Sequence, residues 1–594
     1  MKRLILIIAL LLAPLSAAWT AQETTEPGTI ESGQDLQPEP ATGWTPKEAV
    51  EARNFMVAAA NPLAVMAGVE ILKEGGSAAD AMIATQLVLN LVEPQSSGIG
   101  GGAFLVYYDV GTGSTTTFDG RETAPLAARG DLFLTDSGEE MSFRDAVVGG
   151  LSVGTPGTLK LLETVHRRYG KLPWDRLFGP AISLAENGFE VSPRLAGLLS
   201  GAEGEALRTF DEARNYFFPN GRALEAGERI RNPDFAETLK IIARDGSAPF
   251  YTGEIGRDIV ATVRGAPRNP GLLSEEDLAG YRVVERPPVC EQYRGFDVCG
   301  MGPPSSGGLT VGQILQILEH FPIGQLSPAD PTAWHLFAEA SKLAYADRDL
   351  YMADADFVPV PSEGLLDDTY LMIRAQEIRP DRAMEVPVRA GNPPWHNGPA
   401  LAPDRSQERP GTSHVSVVDA EGNVVSLTTT IEGAFGSQLM VRGFLLNNEL
   451  TDFSFSPERD GRPVANRVEP GKRPRSSMAP TIVFGPDGKP FLAIGSPPGG
   501  SRIIPYVAQA IVGVIDWGLD VQDAISLGHV VNRNGRTELE TGTGATALEP
   551  ALSALGHEVA VTDLNSGPHA IHILADGILI GGADPRREGI AAGE

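Results

Sequence analysis

Gly411 and Thr412, in "ERPGTSHVSVVD", join a Pro-rich run to an alternating, strand-like segment. A threonine hydroxyl is a weak nucleophile until a base takes its proton. An N-terminal threonine carries its own base, the free α-amine, with an ordinary pKa of about 7.7 to 8.0. That amine exists only if the bond before Thr412 is cut, and glycine offers the least hindered carbonyl to the neighbouring hydroxyl. Threonine is also stiff at χ1, which fixes the direction of its hydroxyl. If Val418 pairs with Val424 across the loop "DAEGN", Thr430 falls opposite Thr412 and the two can share a hydrogen bond. A slip of one residue would put Ser413 there instead. The plain alternative is a surface hairpin rich in hydroxyls.

Other motifs compete for a catalytic role. "GLSVG", Gly150 to Gly154, fits the G-x-S-x-G pattern, but a nucleophile elbow needs a helix directly after Ser152, and Pro156 and Gly157 delay it. "SGIGGGAF", Ser97 to Phe104, follows a helix and opens a strand, the reverse of a dinucleotide-binding loop, so its glycines read as sites of close backbone approach. "IGSPPGGSRII" ends a strand in two glycines, Gly499 and Gly500, whose amides could form an oxyanion nest or an ordinary turn. His569 and His572 in "GPHAIHI" read as strand or loop residues rather than metal ligands, and no cofactor or metal is called for.

The elements that must position these groups are legible in part. Asn61 caps a helix with Pro62 at its first position, stopped by Gly75 and Gly76. Ser77 to Asp80 forms a capping box for a second helix ending before Pro94. "AFLVYYD" and "STTTFDG" read as a strand pair. The middle, to about Asp381, is mostly helical. Residues 386–411 hold six prolines and read as a mobile connector. From residue 412 onward the chain is strand-rich.

At 594 residues the chain exceeds a modest single core. Its formal net charge of -28 argues against a nucleic-acid backbone as partner. Lys2 and Arg3, the apolar run "LILIIALLLAPL", then Ser16, Ala17 and Ala18 read as a signal peptide over residues 1–18, hence an exported, periplasmic or extracellular protein with no membrane span after its removal. The alternative is an uncleaved anchor. Residues 19–55 read as a disordered leader. Cys290 and Cys299 flank a turn-type dipeptide, Arg294–Gly295, and could meet across a hairpin; export would permit a disulfide.

"TSHVSVVDAEGNVVSLTTTIEGAFGS", "FLLNNELTDFS" and "KRPRSSMAPTIV" together resemble the gamma-glutamyltransferase (glutathione hydrolase) family. So do "GGGAFLVYYD", "FDGRETAP", "GMGPPSSGG", "AYADRD", "GSPPGGSRI" and "GGADPR". The resemblance implies an N-terminal-nucleophile hydrolase: an α+β fold, a four-layer αββα sandwich, made as a proenzyme and cut between Gly411 and Thr412. A large-subunit body, 56–385 with its connector 386–411, and a small subunit, 412–594, would share one core. The resemblance further implies Thr412 as nucleophile, Thr430 as its support, and Gly499 and Gly500 as the oxyanion hole. Arg121, Ser476 and Ser477 would hold the substrate α-carboxylate, and Glu432, Glu449 and Asp452 its α-ammonium. The implied partners are a γ-glutamyl donor and a water, amino-acid or peptide acceptor.

Many family members have Asn and Gln where this chain has Glu432 and Glu449, so three carboxyls would crowd one ammonium and one is expected to be protonated or turned away. An extra Pro stands in "SPPGG". Residues 453–470, where some relatives carry a lid tyrosine, have none, which implies a more open site. A related cephalosporin or glutaryl acylase, a poly-γ-glutamate-processing enzyme and an unprocessed exported scaffold are the alternatives. A glutaryl group has no ammonium and would leave the acidic side chains unpaired.

Overall fold

The computed structural model describes residues 43–394, 398–406, 409, 411–497 and 499–594. The expected signal segment and most of the leader lie outside the described residues, as does Pro498 of the "SPPGG" turn.

Two seven-stranded antiparallel sheets face one another. The first runs, in spatial order, Ile590–Gly593, Met56–Ala59, Thr412–Val418, Val424–Thr430, Gly102–Asp109, Ser114–Gly120, Val284–Arg286. The second runs Val50–Ala52, Leu579–Ala583, His569–Ile573, Pro490–Gly495, Thr481–Phe484, Phe296–Gly300, Val289–Tyr293. Each sheet draws strands from both sides of the Gly411–Thr412 bond.

Strand periodicity sorts the side chains into layers. From Thr412–Val418, Val415 and Val417 turn outward into a core shared with helices Pro62–Lys73 and Ala78–Val92. Val418 and Val424 turn inward against Ile482, Ala493 and Ile571 of the second sheet. The outer face of that sheet packs on helices Gly307–Glu319 and Ile503–Ile515, with Pro331–Tyr351 behind them. The result is the expected αββα sandwich.

The expected local signals are present. Asn61 accepts from the Leu63 amide, and the Ser77–Asp80 capping box is closed in both directions. Cys290 and Cys299 stand directly opposite across a two-residue turn and are disulfide-bonded. Arg294 and Gly295 both have positive φ, 53° and 81°, the backbone a tight hairpin turn demands.

The leader is a correction. Disorder was expected through residue 55, yet Val50–Ala52 is an edge strand paired to Leu579–Ala583. Before it, Thr45 donates to the Pro585 carbonyl at 2.8 Å, and Trp44 lies 4.7 Å from the Arg586 guanidinium. Polar composition masked a segment that is held by main-chain pairing, which composition does not record. The connector 386–411 has no helix or strand among its described residues, but it is tied down. Val388 donates to Asn534 at 2.6 Å and Gly391 to Asp347 at 2.7 Å. Among the described residues no helix is long and apolar enough to cross a membrane.

Candidate active site

Thr412 and Thr430 are direct cross-strand partners, in the register that places Val418 opposite Val424. Both are almost fully buried. The Thr430 hydroxyl accepts from the Glu432 amide at 2.7 Å and donates to the Gly411 carbonyl at 2.6 Å. Gly411 has no room for a side chain: a Cβ there would lie 2.1 Å from the Glu432 carbonyl oxygen. The residue before Thr412 is therefore small by necessity, and its carbonyl is already polarised by a neighbouring O–H.

These residues open on a cleft lined by Arg121, Arg409, Thr412, Thr430, Glu432, Glu449, Asp452, Ser476, Ser477 and Gly500, with Met478 and Ile503. Ten positions proposed from sequence thus converge or flank that space; Gly499 precedes Gly500 with φ 144°, and Gly500 has φ 55°. Ser152 does not join them. It is buried in a 3-10 turn and donates to the Val147 carbonyl at 2.7 Å, which overturns the elbow reading. The "GIGGG" glycines are packing positions, since a Cβ on Gly101 would lie 1.9 Å from the Thr430 carbonyl oxygen.

The acidic groups share one guanidinium. Arg121, fully buried, pairs with Glu449 and, at 2.5 Å, with Asp452, and donates to the Arg475 carbonyl at 2.9 Å. Burial alone would lower its pKa, but Glu449 and Asp452 outweigh that and raise it. The cation and anions expected to hold opposite ends of a zwitterion are thus in direct contact. Burial raises the Glu449 carboxyl despite Arg121. Burial, reinforced by Glu449, pushes Glu432 up to about 8. Asn448 and the Arg409 amide, the latter at 3.0 Å, donate to Glu432 and oppose that rise.

Sequence reasoning missed Glu122, although it follows Arg121 in the quoted "DGRETAP". It is fully buried beside Glu449, and burial followed by the Glu449 charge raises its carboxyl well above the usual range. Two buried carboxyls at such range are stable with a proton between them. The sign for stability follows. These carboxyls bind protons in the folded chain that the unfolded chain releases near pH 4.5, so their ionisation destabilises the fold as pH rises toward about 8.

Among the described residues no histidine is hydrogen-bonded to Thr412. His414, two residues on, is bonded to Thr428 at 2.9 Å and Ser416 at 3.0 Å, and burial depresses it to about 3. His569 and His572 lie an odd number apart on one strand and face opposite ways. One further cluster, His335, Glu339 and His557, has metal-type side chains within 4.8 Å of one another. Its groups satisfy each other instead. The imidazoles share a proton at 2.7 Å, and Lys342, 2.6 Å from Glu339, supplies the cation.

Comparison with known proteins places this arrangement. The gamma-glutamyltranspeptidase family model matches residues 64–594. The glutathione hydrolase proenzyme of Bacillus subtilis (strain 168) is 39% identical over 552 residues, 91% of this chain and 92% of that protein. The acylase ACY 1 proenzyme of Pseudomonas sp. (strain SE83) is 37% identical over 542 residues, 90% of this chain and 92% of that protein. Among solved structures, the cephalosporin acylase from Bacillus halodurans superposes with a TM-score of 0.82 at 28% identity, covering 94% of this chain and 99% of that one. With the hairpin, the glycine at the threonine and the charged cleft in hand, the chain belongs to the gamma-glutamyltranspeptidase family and is an enzyme of the N-terminal-nucleophile hydrolase type.

Proposed function

We propose that this chain is an exported proenzyme that cuts itself before Thr412 and then moves γ-glutamyl groups from amides such as glutathione to water or to an amino-acid or peptide amine. The observation that carries the reading is the Thr430 hydroxyl bonded to the Gly411 carbonyl, with Thr412 directly opposite. In the first step the Thr412 hydroxyl adds to that carbonyl. The peptide C–N bond breaks as an ester C–O bond forms, and the amine takes the proton. Water then hydrolyses the ester, leaving a large subunit ending at Gly411 and a small subunit beginning at Thr412.

The freed α-amine serves as base for the second reaction. Thr412 attacks the γ-amide carbonyl, and the Gly499 and Gly500 amides stabilise the tetrahedral oxyanion. The leaving amine departs protonated, and the acyl-enzyme passes its group to the acceptor. Arg121, Ser476 and Ser477 receive the α-carboxylate, and Glu432, Glu449 and Asp452 the ammonium. The test is N-terminal sequencing of the smaller fragment, which should begin at Thr412, with a γ-glutamyl anilide assay run with and without a dipeptide acceptor. An uncut chain with full activity would sink the proposal.

A second reading, a glutaryl or cephalosporin acylase, is favoured by the cephalosporin acylase superposition and by the contact of Arg121 with Glu449 and Asp452. A glutaryl group would leave Glu432 without a cationic ligand. Preferential hydrolysis of glutaryl anilide would establish that alternative.

Glu432 gives this choice a pH signature. Its carboxyl is raised to about 8, and an ammonium binds the ionised form. For a γ-glutamyl donor, kcat/KM should therefore climb as pH rises from 6 toward about 8. Glu432→Gln should make that limb shallower, leaving the part that belongs to the Thr412 α-amine, and raise KM roughly tenfold, the scale of one charge-assisted bond. An unchanged pH profile in the Gln variant would remove Glu432 from ammonium binding.

A further inference from the structure

The motifs "GMGPPSSGG" and "AYADRD" have no role so far, and they converge on the serine pair. Arg348, buried on helix Pro331–Tyr351, donates through Nη2 to Ser477 Oγ at 2.6 Å. Its Nε donates to Ser306 Oγ at 2.9 Å. The Ser306 hydroxyl in turn donates to the Ser476 carbonyl at 2.7 Å, and the Ser306 amide reaches the same oxygen at 2.8 Å. Ser305 closes the frame by donating to the Met478 carbonyl at 2.6 Å.

Direction matters here, because a guanidinium only donates. Ser477 therefore commits a lone pair to Arg348, which biases its O–H to act as a donor in the cleft it lines. Ser476 Oγ likewise accepts, from the Met478 amide at 3.1 Å. A carboxylate is acceptor-only, so a serine pair whose hydroxyls each already accept one hydrogen bond suits it. Arg348 is itself paired with Asp349 at 3.0 Å, as Arg121 is shared between Glu449 and Asp452, so its contribution at that end of the cleft is the direction of its hydrogen bonds rather than a free charge.

Resting on the γ-glutamyl reading above, we propose that Arg348 is a positioning residue for α-carboxylate recognition. It aims the Ser477 hydroxyl directly and fixes Ser476 through Ser306. Specificity for the carboxylate thus originates one layer below the residues that touch it.

A double-mutant cycle tests this. Arg348→Met should raise KM for γ-glutamyl anilide at least tenfold with kcat within about threefold. In a Ser476→Ala/Ser477→Ala background the same change should add less than twofold, because the groups it acts through are gone. Inhibition by 4-aminobutanoyl anilide, which keeps the ammonium but lacks the α-carboxylate, should be unaltered by Arg348→Met. Self-cleavage into two fragments reports correct folding. If Arg348→Met does not cleave, Arg348→Lys and Ser306→Ala carry the same cycle with smaller expected rises of about threefold. Effects that multiply across the cycle, or that weaken both anilides equally, would overturn the proposal while leaving the proposed function intact. A wild-type enzyme that ignores γ-glutamyl anilide would overturn both.

Discussion

Thr412→Ala should remain a single full-length band on a denaturing gel and lose turnover of γ-glutamyl anilide by a factor on the order of 10⁴ or more, the scale of removing a covalent nucleophile. Under the proposed function both losses have one cause, the same hydroxyl attacking first the Gly411 carbonyl and later the substrate. The fold should survive, because Thr412 sits at the end of its strand and the hairpin register is held by the apolar pairs beyond it. Thr412→Ser separates the contributions. It keeps the hydroxyl and the amine but frees χ1, so cutting and turnover should persist at rates lower by about tenfold. The reading fails if Thr412→Ala still yields two fragments with the small one beginning at residue 412.

Arg121→Met should be the most damaging change that leaves the reacting atoms alone. Arg121 stands among Glu122, Glu449 and Asp452, all buried. Removing one member of a buried ionic group typically costs about 3–5 kcal/mol, because the remaining charges stay desolvated. A clear drop in melting temperature should therefore accompany a rise in KM of about 100-fold, from loss of a forked bond to the α-carboxylate. Arg121→Lys restores the charge without the fork, so it should recover stability more than KM. Self-cleavage needs no α-carboxylate, so any folded variant should still process. A Met variant with ordinary KM would mean that the carboxylate binds elsewhere.

The hairpin was readable because its signals are local. The alternation from Thr412 and the short "DAEGN" loop suggested the register but left a one-residue slip open, which the pairing of Thr412 with Thr430 resolves. The helix caps at Asn61 and Ser77 were readable for the same reason. The cleft was recognised only through resemblance, since Arg121, Glu449 and Ser476 are far apart in the chain and no spacing rule joins them. Three features stayed hidden. Glu122 looked like a neighbour of Arg121, yet its importance comes from complete burial against Glu449, which no residue type announces. The contact of Arg121 with the acidic pair depends on their approach in space. The edge strand Val50–Ala52 is held by main-chain pairing, which polar composition does not disclose.

The interleaving of strands has a consequence for the mature enzyme. Thr412–Val418 lies between Met56–Ala59 and Val424–Thr430, so a piece from after the cut is flanked on one side by a piece from before it. Parting the halves would mean stripping main-chain ladders from both sheets at once. The severed protein should melt in one transition, at a temperature that falls on dilution because unfolding releases two chains. Neither half, synthesised alone, would possess a complete sheet to fold upon.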